Sequence, residues 1–248
     1  MADPHVEPQI QVVDDAAWLA RAAADLVSSV VHADGPVTVV PATGETPVGT
    51  YAELAARHAR GALDTTRVSV VQLDEYLGLA ADDRRTLFGW MDRTVLTPLA
   101  IDDGRVARLP TDGDVDGACA EFDRALAARG GIDLAILGLG TNGHLGFNEP
   151  PSDAASATRT VELTPDTIGA NARYWGGEDD VPTRAVTLGL RTLLDARRIL
   201  LLVSGASKHA IVRRALEGPV GEDVPASFVR EARGSVTVLV DRAAWEGE

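Results

Sequence analysis

The sequence predicts a single-domain α/β protein: a doubly wound, mostly parallel sheet with helices on both faces and one lid-like segment. Two observations carry this. Short β-branched and aliphatic runs recur without polar alternation, as strands buried on both faces do. Longer amphipathic stretches separate them, and that alternation makes βαβ units.

In chain order, residues 1–9 are expected to be a flexible N-terminus and residues 10–248 one domain. A helical stretch over 14–32 precedes the first buried run, Val37–Val40, and a second helix follows over 48–60. The run Val68–Leu73 leads to helical patterns over 86–100 and 115–129, then to the run Asp133–Leu137. Residues 150–184 are rich in Pro, Asp, Thr and Gly with weak periodicity, the composition of a binding loop or lid. Ala185–Leu188 is a weaker strand candidate. Ile199–Val203, a helix over 207–217, the run Ser235–Val240 and a final turn after Asp241 complete the pattern. In sheets of this kind ligands bind beyond the carboxyl ends of the strands, so the residues just after each run carry the functional reading.

A net charge of −14 argues against a generic nucleic-acid surface, which needs a basic stripe to neutralise phosphates. An anionic ligand must therefore be held by local donors against the overall field. Cys119 is the single cysteine, so no internal disulfide forms, and its helical setting reads as a small buried residue. The N-terminal residues lack the basic and apolar regions of a secretory signal. No apolar run approaches the ~20 residues that span a bilayer. The expectation is a cytoplasmic protein with no nucleic-acid or membrane partner. Of 23 Lys and Arg residues, Lys208 is the sole lysine.

Pro41–Tyr51 follows the first run. Thr43, Gly44 and Thr46 precede Pro47, and free N–H groups at a helix start, flanked by hydroxyls, form an anion seat. An ordinary capped turn has the same residues, and Glu45 repels an anion unless its side chain turns away. Gln72–Gly78 places Asp74 and Glu75 at the end of an apolar run, where burial penalises charge. Adjacent strand residues face opposite ways, so one carboxylate can serve as a base and the other as an anchor.

Gly138–Pro150 contains the pattern G-x-G-x-x-G, but a dinucleotide site needs a helix to start there. Gly146 and Pro150-Pro151 argue against one. The alternative is a loop presenting His144 beside Asn142 and Glu149, an arrangement that tunes imidazole for proton transfer. A structural histidine has the same local look. Ala170–Tyr174 falls in the lid-like segment. Ser204, Gly205 and Ser207 repeat the anion-seat chemistry, with Lys208 adding a point charge. His5, His32, His58 and His209 read as ordinary surface or helix residues.

These segments, in this order, resemble the glucosamine-6-phosphate deaminase family from about residue 10 to 242. The likeness rests on Ala42–Pro47, Leu73–Tyr76, Gly138–Pro150, Ala170–Arg173 and Ser204–Lys208, with Gly143–Pro150 the most specific. The resemblance implies a hydrolase/isomerase that opens a 2-amino-2-deoxyhexose 6-phosphate, isomerises it and releases ammonia, leaving fructose 6-phosphate. It implies that Asp74 moves the C2 proton to C1, that His144 assists ring opening, and that Glu149 orients and charges His144. Arg173, Lys208 and the loop of Thr43, Gly44, Glu45 and Thr46 would hold the phosphate. Neither step is a net redox change, so no metal or other cofactor is expected. The partner is a small sugar phosphate; the sequence leaves the oligomeric state open, with a homo-oligomer one of the options.

The chain departs from the family pattern in three places. Family members often have Asp where Asn142 stands, and a small residue where Glu45 stands. Val161 replaces a basic residue through which some hexameric members respond to N-acetylglucosamine 6-phosphate, so that activation is expected to be absent or weak. A sister 6-phosphogluconolactonase with His144 as base, and a non-catalytic sugar-phosphate sensor, remain as alternatives.

Overall fold

The computed structural model describes residues 7–80 and 82–248. Residues 1–6 of the expected flexible N-terminus lie outside the described residues, and Gln9 already begins a strand.

The chain runs β1 (Gln9–Val13), α1 (Ala16–Val31), β2 (Val37–Val40), α2 (Val48–Ala59), β3 (Val68–Val71) and β4 (Asp74–Tyr76). Helix α3 (Leu87–Met91) continues into a wider turn over Asp92–Leu96, followed by β5 (Val106–Ala107), α4 (Val115–Ala128) and β6 (Leu134–Gly138). Then come β7 (Arg159–Glu162), α5 (Pro165–Asn171), β8 (Arg184–Thr187), α6 (Leu190–Leu194) and β9 (Arg198–Val203). Helix α7 (His209–Glu217), β10 (Ser235–Asp241) and α8 (Arg242–Glu246) end the chain.

Seven strands form a parallel sheet in the order β1-β10-β9-β6-β2-β3-β5. The strands of its centre read as unbroken apolar runs because each serves two cores. On β6, Ala135 and Leu137 face the core under α4, α6 and α7, while Leu134 and Ile136 face the core under α1 and α2. On β9, Ile199, Leu201 and Val203 alternate in the same way with Leu200 and Leu202. This is the expected doubly wound α/β architecture.

The expected run Val68–Leu73 is divided. β3 ends at Val71, and the carboxylate pair belongs to β4 in a separate sheet of order β4-β8-β7 with antiparallel pairing. Four strands were not expected from sequence: β1, β4, β5 and β7. The lid-like segment contains β7 and α5, and a third apolar cluster of Tyr76, Phe147, Leu163, Trp175, Val181 and Ala185 packs it against β4.

Candidate active site

The parallel sheet reverses its winding between β6 and β2, which are neighbours in space, and the crevice beyond their carboxyl ends is where such folds bind ligands. A cavity of about 580 Å³ opens there. Its walls are the loops after β2 and β6, the start of β4, the turn after β9 and the segment after α5. Thr43, Gly44, Glu45, Thr46, Asp74, His144, Arg173 and Lys208 all line it. Asn142 and Glu149 do not; they stand behind His144.

Asp74 and Glu75 are both buried, each 4% exposed, but their surroundings differ. Asp74 lines the cavity, and its Oδ1 has no hydrogen-bond partner. Burial, and then the neighbouring Glu75 charge, push its carboxyl up to about 8. Glu75 points away and accepts from Gln72 Nε2 and the backbone N–H of Tyr76, Leu87 and Phe88, all at 2.8 Å. It pins the start of α3 onto β4. The sequence left open which carboxylate is the anchor, and geometry makes it Glu75.

The Gly138–Pro150 segment forms turns and no helix, so the glycines do not make a dinucleotide fingerprint. Gly140 is required by close approach: a Cβ there would lie 2.3 Å from His144 Nε2. His144 Nδ1 lies 2.8 Å from Asn142 Oδ1, and Asn142 Nδ2 donates to Glu149 Oε2 at 3.2 Å. A carboxylate only accepts, so the amide turns its NH₂ to Glu149 and its oxygen to His144. Nδ1 must then carry the proton, leaving Nε2 as the free lone pair. Burial, and then the Lys208 charge, lower the imidazole pKa, with Glu149 opposing. Glu149 also accepts a very short hydrogen bond from Thr164 Oγ1, while its Oε1 is buried without a partner. Glu149 reaches His144 through Asn142 and by its charge, with no direct hydrogen bond between the two side chains. Asn142 stands between them and relays Glu149 as a dipole.

At the other end, Gly44 takes φ +96°, a conformation that favours glycine, and turns the chain into α2. Among the described residues, the N–H groups of Gly44, Glu45 and Thr46 have no hydrogen-bond partner. Lys208 Nζ donates to Leu139 O at 2.7 Å, and burial lowers its pKa. Glu45 crosses the mouth to Arg173 at 3.2 Å and accepts from the Tyr174 hydroxyl at 2.8 Å. The expected second seat at Ser204, Gly205 and Ser207 does not line the cavity. The Ser204 hydroxyl and the Gly205 N–H are bound by the carboxylate of Asp241.

Sequence reading missed Arg84, Arg85 and Arg93, which add positive charge to the wall, and the aromatic edge of Tyr76, Trp90 and Trp175. Arg85 stacks 4.7 Å above Trp175 and pairs with Asp83. The doublet Arg84-Arg85 just past Leu73–Tyr76 was the available signal. Among the described residues no group of three or more His, Cys, Asp or Glu is placed to hold a metal ion. No helix among them is long and apolar enough to cross a membrane.

A buried carboxyl without a partner on Oδ1, an imidazole with a fixed tautomer and a cation-lined mouth share one cavity at a sheet switch point. They define a class: α/β sites for proton-transfer chemistry on a small anionic molecule. Within that class, residues 13–238 match the family of glucosamine-6-phosphate isomerases and 6-phosphogluconolactonase, and the chain belongs to it. It is 40% identical to a glucosamine-6-phosphate deaminase of Streptomyces avermitilis over 240 residues, 95% of this chain and 91% of the relative. The deaminase of Cutibacterium acnes is 41% identical over the same length, with 95% and 90% covered. A solved monomeric glucosamine-6-phosphate deaminase superposes with a TM-score of 0.92 at 35% identity, covering 97% of this chain and all of that one. The 6-phosphogluconolactonase of Trypanosoma brucei has a TM-score of 0.75 at 22% identity over 97% of this chain and 98% of its own, a likeness of fold.

Proposed function

We propose that the chain converts glucosamine 6-phosphate and water to fructose 6-phosphate and ammonia, a deamination coupled to aldose–ketose isomerisation. One observation carries the reading: Asp74, a carboxyl without a partner on Oδ1, shares a cavity with the His144 relay and a cation-lined anion seat. The deaminases similar to it over nearly its whole length support the same substrate.

In this reading the phosphate sits on the free N–H groups before α2, with Lys208 and Arg173 as counter-charges. His144 Nε2 takes the anomeric hydroxyl proton and returns it to the ring oxygen as the C1–O bond opens. Asp74, ionised, takes the C2 proton; the electron pair forms the C1–C2 double bond, and the C2 ammonium gives a proton to the carbonyl oxygen, leaving the enolamine. The same carboxyl then delivers that proton to C1, leaving an imine at C2. Water adds to C2 and ammonia leaves. One positioned base serves both carbon centres, which a single unpaired carboxyl suits. Asn142 and Glu149 hold the imidazole in its working tautomer.

The segment over 150–184 serves as the lid, with Arg173 carried on it. The assembly of a homo-oligomer and cytoplasmic residence complete the proposal, and sedimentation of the purified chain decides the first. Val161 lies on β7, and activation by N-acetylglucosamine 6-phosphate is expected to be absent.

The test is ammonia release across a panel of amino-sugar phosphates without added cofactor, beside acid release from 6-phosphogluconolactone. Ammonia with matching fructose 6-phosphate supports the reading. Acid release alone moves the chain to the lactonase branch, and binding without product makes it a sensor.

A further inference from the structure

The anion seat holds an anion of its own. Glu45 lies in the turn between β2 and α2, among the unpaired N–H groups proposed to take the phosphate. Its Oε1 is 3.2 Å from Arg173 Nη2 and accepts from the Tyr174 hydroxyl at 2.8 Å. Arg173 Nη2 in turn donates to that hydroxyl at 2.7 Å, so the three side chains close a triangle across the mouth. The guanidinium that follows α5 is thus paired within the site.

We propose that Glu45 sets the affinity of the site: a tethered carboxylate that competes for Arg173 and has to be displaced before the phosphate ester reaches it. This rests on the reading of the cavity as a sugar-phosphate site. Both side chains stay largely exposed, 62% for Arg173 and 69% for Glu45. The pair is therefore weak and can be exchanged, unlike a buried one that would lock Arg173 out of use. A phosphate monoester carries close to two charges at neutral pH and accepts a fork of donors. It outcompetes a single carboxylate for the guanidinium. Displacing Glu45 breaks the same contact for each anion that reaches Arg173, and the carboxylate repels a dianion more than a monoanion. Glu45 therefore lowers affinity for every anion, and for the phosphate ester most.

The substitution Glu45→Gln removes the charge and keeps the shape at an exposed position, so the fold is not at risk. Exposed pairs of this strength shift affinities by no more than about five-fold. In Glu45→Gln the KM for glucosamine 6-phosphate is expected to fall about two- to five-fold with kcat within two-fold. Affinity for glucose 6-phosphate, measured by calorimetry, should rise at least as much as affinity for glucose 6-sulfate, which carries one charge. Tyr174→Phe, which leaves the Glu45–Arg173 contact in place, should move these values less than Glu45→Gln does. An unchanged or raised KM, or a larger gain for the sulfate ester than for the phosphate ester, would overturn the proposal. The calorimetric arm needs no turnover. If the wild-type chain binds the ester but releases no ammonia, the deaminase reading fails while the role of Glu45 is still decided.

Discussion

Asp74 and Glu75 are neighbours on one three-residue strand, equally buried, and chemically almost the same. One spends its acceptors on four donors; the other leaves Oδ1 without a partner in a cavity. Burial alone does not separate a working group from a structural one. Unused hydrogen-bonding capacity does, because a buried polar atom without a partner costs stability and persists where something else uses it.

The largest expected effect exploits that difference. Asp74→Asn should lower kcat by about 10³-fold or more, the size of a lost positioned base, and should raise stability. In the folded protein the Asp74 carboxyl holds its proton up to about pH 8, against 3.8 ordinarily. The unfolded chain releases that proton first, so stability falls as pH climbs between those two values and is level above them. Removing the carboxyl removes the loss, and the Tm at pH 8 should rise by several degrees. Glu75→Gln should do the reverse, because its new NH₂ confronts a donor. It should cost about 1–3 kcal/mol, read as a lower Tm, with kcat falling much less than in Asp74→Asn. If both variants lost activity alike and neither gained stability, the contrast would be void. In the wild-type enzyme kcat/KM should climb with pH through about 8 as Asp74 ionises. His144, whose pKa is lowered, is already neutral over that range.

A middle-sized effect tests the relay. Asn142→Leu takes the acceptor from His144 Nδ1–H and should reduce kcat about 10- to 100-fold, as loss of an orienting partner does. Asn142→Asp keeps the acceptor and adds charge against the imidazole, raising its pKa. The pH profile should then gain a second acid limb, from the imidazole, beside that of Asp74. A merely structural Asn142 would lower activity evenly across the pH range.

How far the site was legible follows the same physics. The central strands announced themselves because residues of β6 and β9 face two cores and are apolar throughout. β1, with Gln at alternate positions and mostly exposed, and β5, two residues long, bury too little to leave a pattern. The order of Asp74, His144 and Lys208 after successive strands was readable, since chain order fixes which strand end each occupies. The partition between Asp74 and Glu75 was not, because it depends on N–H groups from Leu87 and Phe88 a dozen residues on. Nor was the Asn142 bridge, which depends on how a loop of glycines turns. Ser204 and Gly205 had the composition of a seat, but only the fold reveals that Asp241 fills it.

The smallest effect lies where the lid-like segment meets that relay. Thr164 caps α5 by accepting from Thr167 N at 3.3 Å, and it donates to Glu149 Oε2. One hydroxyl therefore ties the start of the helix ahead of Arg173 to the carboxylate behind Asn142. Thr164→Val keeps the shape and removes both bonds. The lost cap alone is worth about 1 kcal/mol, and kcat should fall about three- to ten-fold as Glu149 Oε2 is left with Asn142 as its one donor. Thr164→Ser restores both bonds and should restore both values. If Thr164→Val lowered the Tm but left kcat and its pH profile untouched, the hydroxyl would be a helix cap only, and the segment and the imidazole would work independently.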